Sequence, residues 1–157
     1  GTSVQVLGWD TAKADGTFVG GFSDSAKALQ ISKNFEQQGA DIIFPVAGGL
    51  GGATAGNSMA TGKSKVIWVD TDGFVAAPQY KSVILSSVVK GVDASVKAVI
   101  LEEAAGTFSA EGYVGNLENS GTYLAPFHDL ASLVSATLND EIVALGDAIK
   151  SGEVAVK

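Results

Sequence analysis

At 157 residues and 46% hydrophobic content, the chain is the length of one domain and can bury a sizeable core, which excludes a disordered segment. Ten Lys and Arg against seventeen Asp and Glu leave a net charge of -7, which argues against a nucleic-acid partner, because phosphate binding needs clustered cations. The absence of cysteine excludes disulfides, thiolate catalysis and cysteine-ligated zinc; the single His128 excludes a mechanism needing two histidines; no apolar run approaches the roughly 20 residues of a membrane span.

In chain order, Val4 to Gly8 reads as a short strand that enters a polar loop at Trp9 and Asp10. Asp15-Gly16 and Gly20-Gly21 are turn signals, and a small hairpin is expected around them. Ser23 or Asp24 can cap a helix whose apolar positions Ala28, Ile31 and Phe35 fall at helical spacing, ending at Gly39. Ile42 to Ala47 is a buried strand stopped by Gly48, Gly49, Leu50, Gly51 and Gly52. Ala53 to Thr61, all small residues and one Met, suits a crossover helix, and Val66 to Val69 is the next strand, ending in Asp70 and Asp72. These pieces make one βαβ unit.

Gly73 to Tyr80 reads as a loop and Val83 to Leu85 as a brief apolar segment. From Ser86 or Ser87 to Ala105, the set Val88, Val89, Val92, Val96, Val99 and Ile100 holds a period near 3.6 and predicts a helix with an apolar stripe. Two short strands are expected at Tyr113 to Leu117 and Thr122 to Leu124, then an amphipathic helix over Leu138 to Ile149, starting as early as Leu130, and an edge-like Val154 to Val156. The fold class is α/β, a parallel sheet flanked by helices. Only three parallel strands are convincing, all in the first half, and so thin a sheet suggests a piece of a longer chain.

In open α/β sheets ligands bind beyond the carboxyl ends of the strands, where this chain carries its glycine loop and its two carboxylates. Gly48 and Gly49 permit close backbone approach. A phosphate cradle fits less well: the loop lacks the lysine of G-x-x-x-x-G-K-S/T, and Thr54 stands where a dinucleotide fingerprint needs glycine. From pattern alone Asp70 and Asp72 are as readily turn or cap residues, and Lys90 a solvated charge.

The phrases GGFSDSAKALQISKNFEQQGADIIFPVAGG, IWVDTD, VILSSVVKGVDASVKAVI and DAIKSGEVAV, in that order, resemble the basic membrane protein family of bacterial lipoproteins. These are type I periplasmic-binding-protein-like receptors that deliver nucleosides to ABC importers. The resemblance implies two Rossmann-like lobes with the nucleoside clamped between them, this chain corresponding to the later half to two-thirds, with the first lobe largely missing. Residues 1–72 would belong to the second lobe, and residues 73–157 would recross the hinge and return helices to the first.

It further implies a non-enzymatic role, with no cofactor or metal. The implied partners are a purine or other nucleoside and an ABC permease; the implied location is extracytoplasmic, with membrane contact only through a lipid anchor. A second copy of this chain is a further partner that an incomplete fold allows. Carried over residue by residue, Asp70 matches the ribose-binding aspartate, Lys90 in S-x-x-K a lysine that reaches the sugar, and Phe22 a ring that stacks on the base, with Phe18 and Trp9 as rivals. Gly48 and Gly49 line the sugar or base edge, and Asp72 serves to order the loop. His128 is expected only as a surface or hinge residue. The competing reading is a nucleotide-binding enzyme in which Asp70 and Asp72 hold magnesium beside the Gly48 to Gly52 loop.

Overall fold

The computed structural model describes residues 3–156; Gly1, Thr2 and Lys157, at the outer ends of the two expected units, lie outside the described residues. The chain opens with an exposed segment at Val4 to Gly8 that joins no ladder, contrary to the strand expected there. Val4 and Val6 are 80% and 69% exposed, so their alternation has no sheet to bury against. A two-stranded antiparallel hairpin follows, β1 (Trp9–Asp10) against β2 (Asp15–Gly16). A hairpin forms as expected, but its turn lies at residues 11–14, and Asp15-Gly16, expected as a turn, is its second strand.

Helix α1 (Ser25–Gln37) is capped by Asp24, whose side chain accepts from the Lys27 amide at 2.9 Å, and it stops before Gly39, which has φ 93°. Its buried face is not the expected Ala28, Ile31 and Phe35 stripe but Ala28, Ser32 and Glu36. That polar face is matched by α2 (Gly51–Thr61). Ser32 Oγ lies 2.9 Å from Thr54 Oγ1, while Glu36 Oε1 accepts from Thr61 Oγ1 at 2.9 Å and from Ser64 Oγ at 2.7 Å. Buried polar groups are tolerated where their partners are in place.

The main sheet has the order β3-β4-β5-β6, with β3 (Ile42–Ile43), β4 (Lys65–Asp70), β5 (Ile84–Lys90) and β6 (Thr122–Leu124). The first three are parallel, and β6 runs antiparallel to β5 with Val88 opposite Leu124. The third parallel strand is therefore β5 and not the opening segment. Val88 and Val89 fit a helical stripe by spacing; in the structure they belong to strand β5, which is covered on both faces, with Ile84 to Ser87 all buried, and so shows no period of two. Gly91 breaks the chain there, and helix α4 (Val92–Ala104) begins one residue later.

Other expectations also move. The region from Gly73 to Tyr80 contains a one-turn helix, α3 (Gly73–Ala76), and a 3-10 turn at Pro78–Tyr80. Tyr113 to Leu117 forms no strand, nor does Val154 to Val156. Helix α5 (Leu138–Lys150) does not reach back to Leu130, because a separate 3-10 turn occupies His128–Leu133.

The core lies between α2 and the sheet, where Ala55, Val66 and Val83 are buried and Trp68 and Tyr80 pack against them. Gly51 faces the Trp68 ring, with Cζ3 3.3 Å from where a Cβ would stand, so the small residues of α2 allow helix and sheet to approach closely. By contrast α4 buries none of its residues, and its stripe of Val92, Val96 and Ile100 is 52% to 62% exposed. The sheet takes strands from both sides of Asp72. No helix among the described residues is long and apolar enough to cross a membrane.

Candidate functional site

Parallel strands bring their carboxyl ends to one edge of the sheet, and that edge gathers the sequence-predicted residues. β3 leads to Gly48 and Gly49, β4 ends in Asp70, and β5 ends in Lys90. Lys90, expected on a helix, is the last residue of a strand beside Asp70's own. The two neighbouring ladders, Asp70 opposite Val89, bring Lys90 Nζ to 2.6 Å from Asp70 Oδ1.

Asp70 adopts φ 73°, in the left-handed region, which costs a non-glycine residue on the order of 1 to 3 kcal/mol and persists only where the surroundings hold it. Its Oδ1 is buried, and Lys90 Nζ meets it at 2.6 Å as an ion pair. The side chains of the pair are 39% and 69% exposed, so mutual attraction adds little to stability and both retain capacity for a further partner.

Phe22 is 77% exposed, and its Cδ1 lies 3.5 Å from the point a Cβ on Gly48 would occupy. Gly48 has φ 54°, a conformation glycine adopts without strain. Phe22 and Gly48 therefore adjoin, and Gly49, next in the chain, has nothing within 4 Å of where its Cβ would stand. The rival aromatics are engaged with each other, Trp9 and Phe18 meeting edge to face at 6.5 Å. On the same hairpin the Asp10 carboxyl is held below its ordinary value by the Lys13 ammonium and by backbone amides.

Asp72 is turned to a different task. Its Oδ1 accepts from the Phe74 amide at 3.1 Å and caps α3, and its Oδ2 lies 2.8 Å from His128 Nε2. The His128 ring stacks on Phe74 at a centroid distance of 4.2 Å and an interplanar angle of 10°. Sequence reasoning assigned His128 nothing, since a lone histidine 56 residues from its partner leaves no local signal. The two carboxylates have separate partners, Lys90 and His128. No group of three or more His, Asp or Glu that could hold a metal occurs among the described residues. The four glycines of residues 48–52 form no open cradle either: Gly48–Leu50 is a 3-10 turn running directly into α2, with the Leu50 amide donating to Ala47 O at 3.2 Å.

What this edge can do is hold a small polar molecule from one side. It offers a carboxylate with unfilled acceptor capacity, a cation, an exposed ring and a glycine backbone, on a surface open to a second wall.

Residues 11–146 match the family model described as Bmp, ABC transporter substrate-binding protein PnrA-like. Among solved structures, the fold is similar to a transcriptional activator of the comK gene from Bacillus halodurans, at 19% identity and TM-score 0.74, over 88% of this chain and 47% of that one. It is similar also to an ABC transporter solute-binding protein from Conexibacter woesei DSM 14684, at 21% identity and TM-score 0.71, over 90% of this chain and 45% of that one. A third is an ABC transporter solute-binding protein from Aeropyrum pernix K1, at 19% identity and TM-score 0.68, over 90% and 46%. This chain therefore spans less than half the length of each. Among curated protein sequences none matches it.

Proposed function

This chain belongs to the Bmp family of PnrA-like ABC transporter substrate-binding proteins, and from that premise we propose that it forms the ligand-gripping part of an extracytoplasmic receptor for nucleosides, purine nucleosides foremost. The receptor binds its solute between two lobes and delivers it to an ABC permease; it carries out no chemistry on the solute. The single observation that carries the reading is Asp70, a carboxylate at the end of strand β4 whose side chain is 39% exposed and has the Lys90 ammonium alongside. Such a group can accept the paired hydroxyl hydrogens of a ribose, each charge-assisted bond being worth roughly 1.5 to 3 kcal/mol. Phe22, beside Gly48, supplies a stacking face for the base, worth on the order of 1 to 3 kcal/mol.

The two-unit organisation is part of the proposal. Residues 1–72 contribute to the second lobe; the segments after Asp72 add β5 and β6 to the same sheet and then present α4 and α5 toward the first lobe. An α4 stripe that buries nothing within this chain supports that arrangement. Attachment to the cell membrane would come through a lipid anchor on the longer protein. Titration calorimetry of the full-length protein with adenosine, guanosine, inosine and uridine tests the reading: micromolar or tighter binding of at least one purine nucleoside is expected, and silence across the set overturns it.

A further inference from the structure

We infer that His128 is a positioning residue for Asp70, clamping through Asp72 and Phe74 the turn that keeps Asp70 in its left-handed conformation. The inference rests on the solute-binding reading of Asp70. The physical problem is that a non-glycine residue at φ 73° relaxes unless both of its flanks are held. On the amino side the flank is strand β4, laddered to β5 as far as Asp70 opposite Val89. On the carboxyl side the Thr71 amide donates to Val69 O at 2.9 Å, which closes a tight turn around Asp70.

Three further contacts hold the residues that follow. The Gly73 amide donates to Ser87 Oγ at 3.0 Å, with Ser87 wholly buried on β5. Asp72 Oδ1 accepts from the Phe74 amide. Asp72 Oδ2 meets His128 Nε2 at 2.8 Å while the imidazole lies flat on Phe74. The first two come from β5 and from the turn itself; His128 alone of these reaches in from the segment beyond β6, and so fixes the turn from a second direction. His128 itself has φ 44°, so a locally strained turn delivers this ring to Asp72.

Burial tells which pair governs the other. The side chains of His128 and Asp72 are 22% and 25% exposed, whereas those of Lys90 and Asp70 are 69% and 39% exposed. A shielded pair keeps its geometry, while an exposed one is loosened by water and salt. The inner pair therefore sets where Asp70 Oδ1 stands, and the outer pair is free to exchange Lys90 for a ligand hydroxyl.

The test compares the full-length protein with its His128→Ala and His128→Gln variants. The readouts are the Asp70 side-chain carboxyl carbon and the Lys90 side-chain signals by NMR without ligand, and inosine affinity by calorimetry. His128→Ala is expected to move both sets of signals and to weaken inosine about tenfold, the scale of one lost charge-assisted hydrogen bond. His128→Gln, whose amide can still donate to Asp72, is expected to restore both, with affinity within about threefold of the parent. Unmoved Asp70 and Lys90 signals in a folded His128→Ala protein, or a failure of glutamine to restore them, would overturn the inference even if the melting temperature falls. Should His128→Ala not fold, Phe74→Leu removes the stacking partner and leaves both carboxylates; unmoved signals there overturn it as well. If the parent binds no nucleoside but the signals move as described, the positioning role stands and the nucleoside reading fails.

Discussion

Asp70 Oδ1 and Lys90 Nζ stand 2.6 Å apart at the carboxyl ends of adjacent parallel strands, joined as an ion pair. The pairing comes from sheet topology: twenty residues apart in sequence, the two are one strand spacing apart in space. An acceptor and a cation in this relation are each incompletely satisfied, the state from which a polyol can recruit both.

Asp70 separates binding from stability. Asp70→Gly relieves the left-handed strain and is expected to stabilise the fold by about 1 kcal/mol, while nucleoside affinity falls roughly tenfold or more. Denaturant unfolding together with calorimetry checks this, and parallel losses of both would show that Asp70 acts as a structural residue.

Phe22 should behave in the opposite way toward the sugar. Because its ring is 77% exposed, Phe22→Ala leaves the melting temperature unchanged within error but weakens a ribonucleoside and its 2'-deoxy analogue by the same factor, on the order of 10-fold. Asp70→Asn, by comparison, should penalise the ribonucleoside more. Affinity ratios for the two ligands across the three proteins decide between these patterns.

The neighbouring glycines are predicted to differ. Gly48→Ala places a Cβ on a backbone at φ 54° and against the Phe22 ring, and should cost about 1 kcal/mol of stability as well as affinity. Gly49→Ala meets nothing within 4 Å and should be tolerated in stability. Thermal unfolding of the two variants side by side would expose equal effects, which the geometry does not allow.

The apolar stripe of α4 predicts a dependence on context. Ile100 is 61% exposed within this chain, so Ile100→Asp should change the stability of this chain alone by less than about 0.5 kcal/mol. In the full-length protein, where we place the first lobe against this helix, the same change should cost about 2 to 5 kcal/mol, the range for losing a buried isoleucine side chain. Equal small effects in both would remove α4 from any lobe contact.

Much of the fold was legible in the residues. Ile42, Ile43 and Val66 to Val69 announced strands by their β-branched runs, and Asp24 and Gly39 bracketed a helix; the buried strand expected over Ile42 to Ala47 is shorter, ending at Ile43, with Phe44 and Val46 exposed before the glycines. Strand β5 was not legible, because Val88, Val89 and Val92 satisfy a helical period as well as they satisfy a strand buried on both faces. The inward face of α1 was hidden for the converse reason: Ser32 and Glu36 look solvated until Thr54, Thr61 and Ser64 are seen to complete their hydrogen bonds.

By itself the sequence determined that Asp70 stands at the carboxyl end of a strand, since a hydrophobic run and the carboxylate that stops it are local features. Only the tertiary structure decided which side chains meet there. Lys90 pairs with Asp70 and His128 with Asp72 because strands far apart in the chain lie side by side, and no local pattern encodes a contact spanning 56 residues.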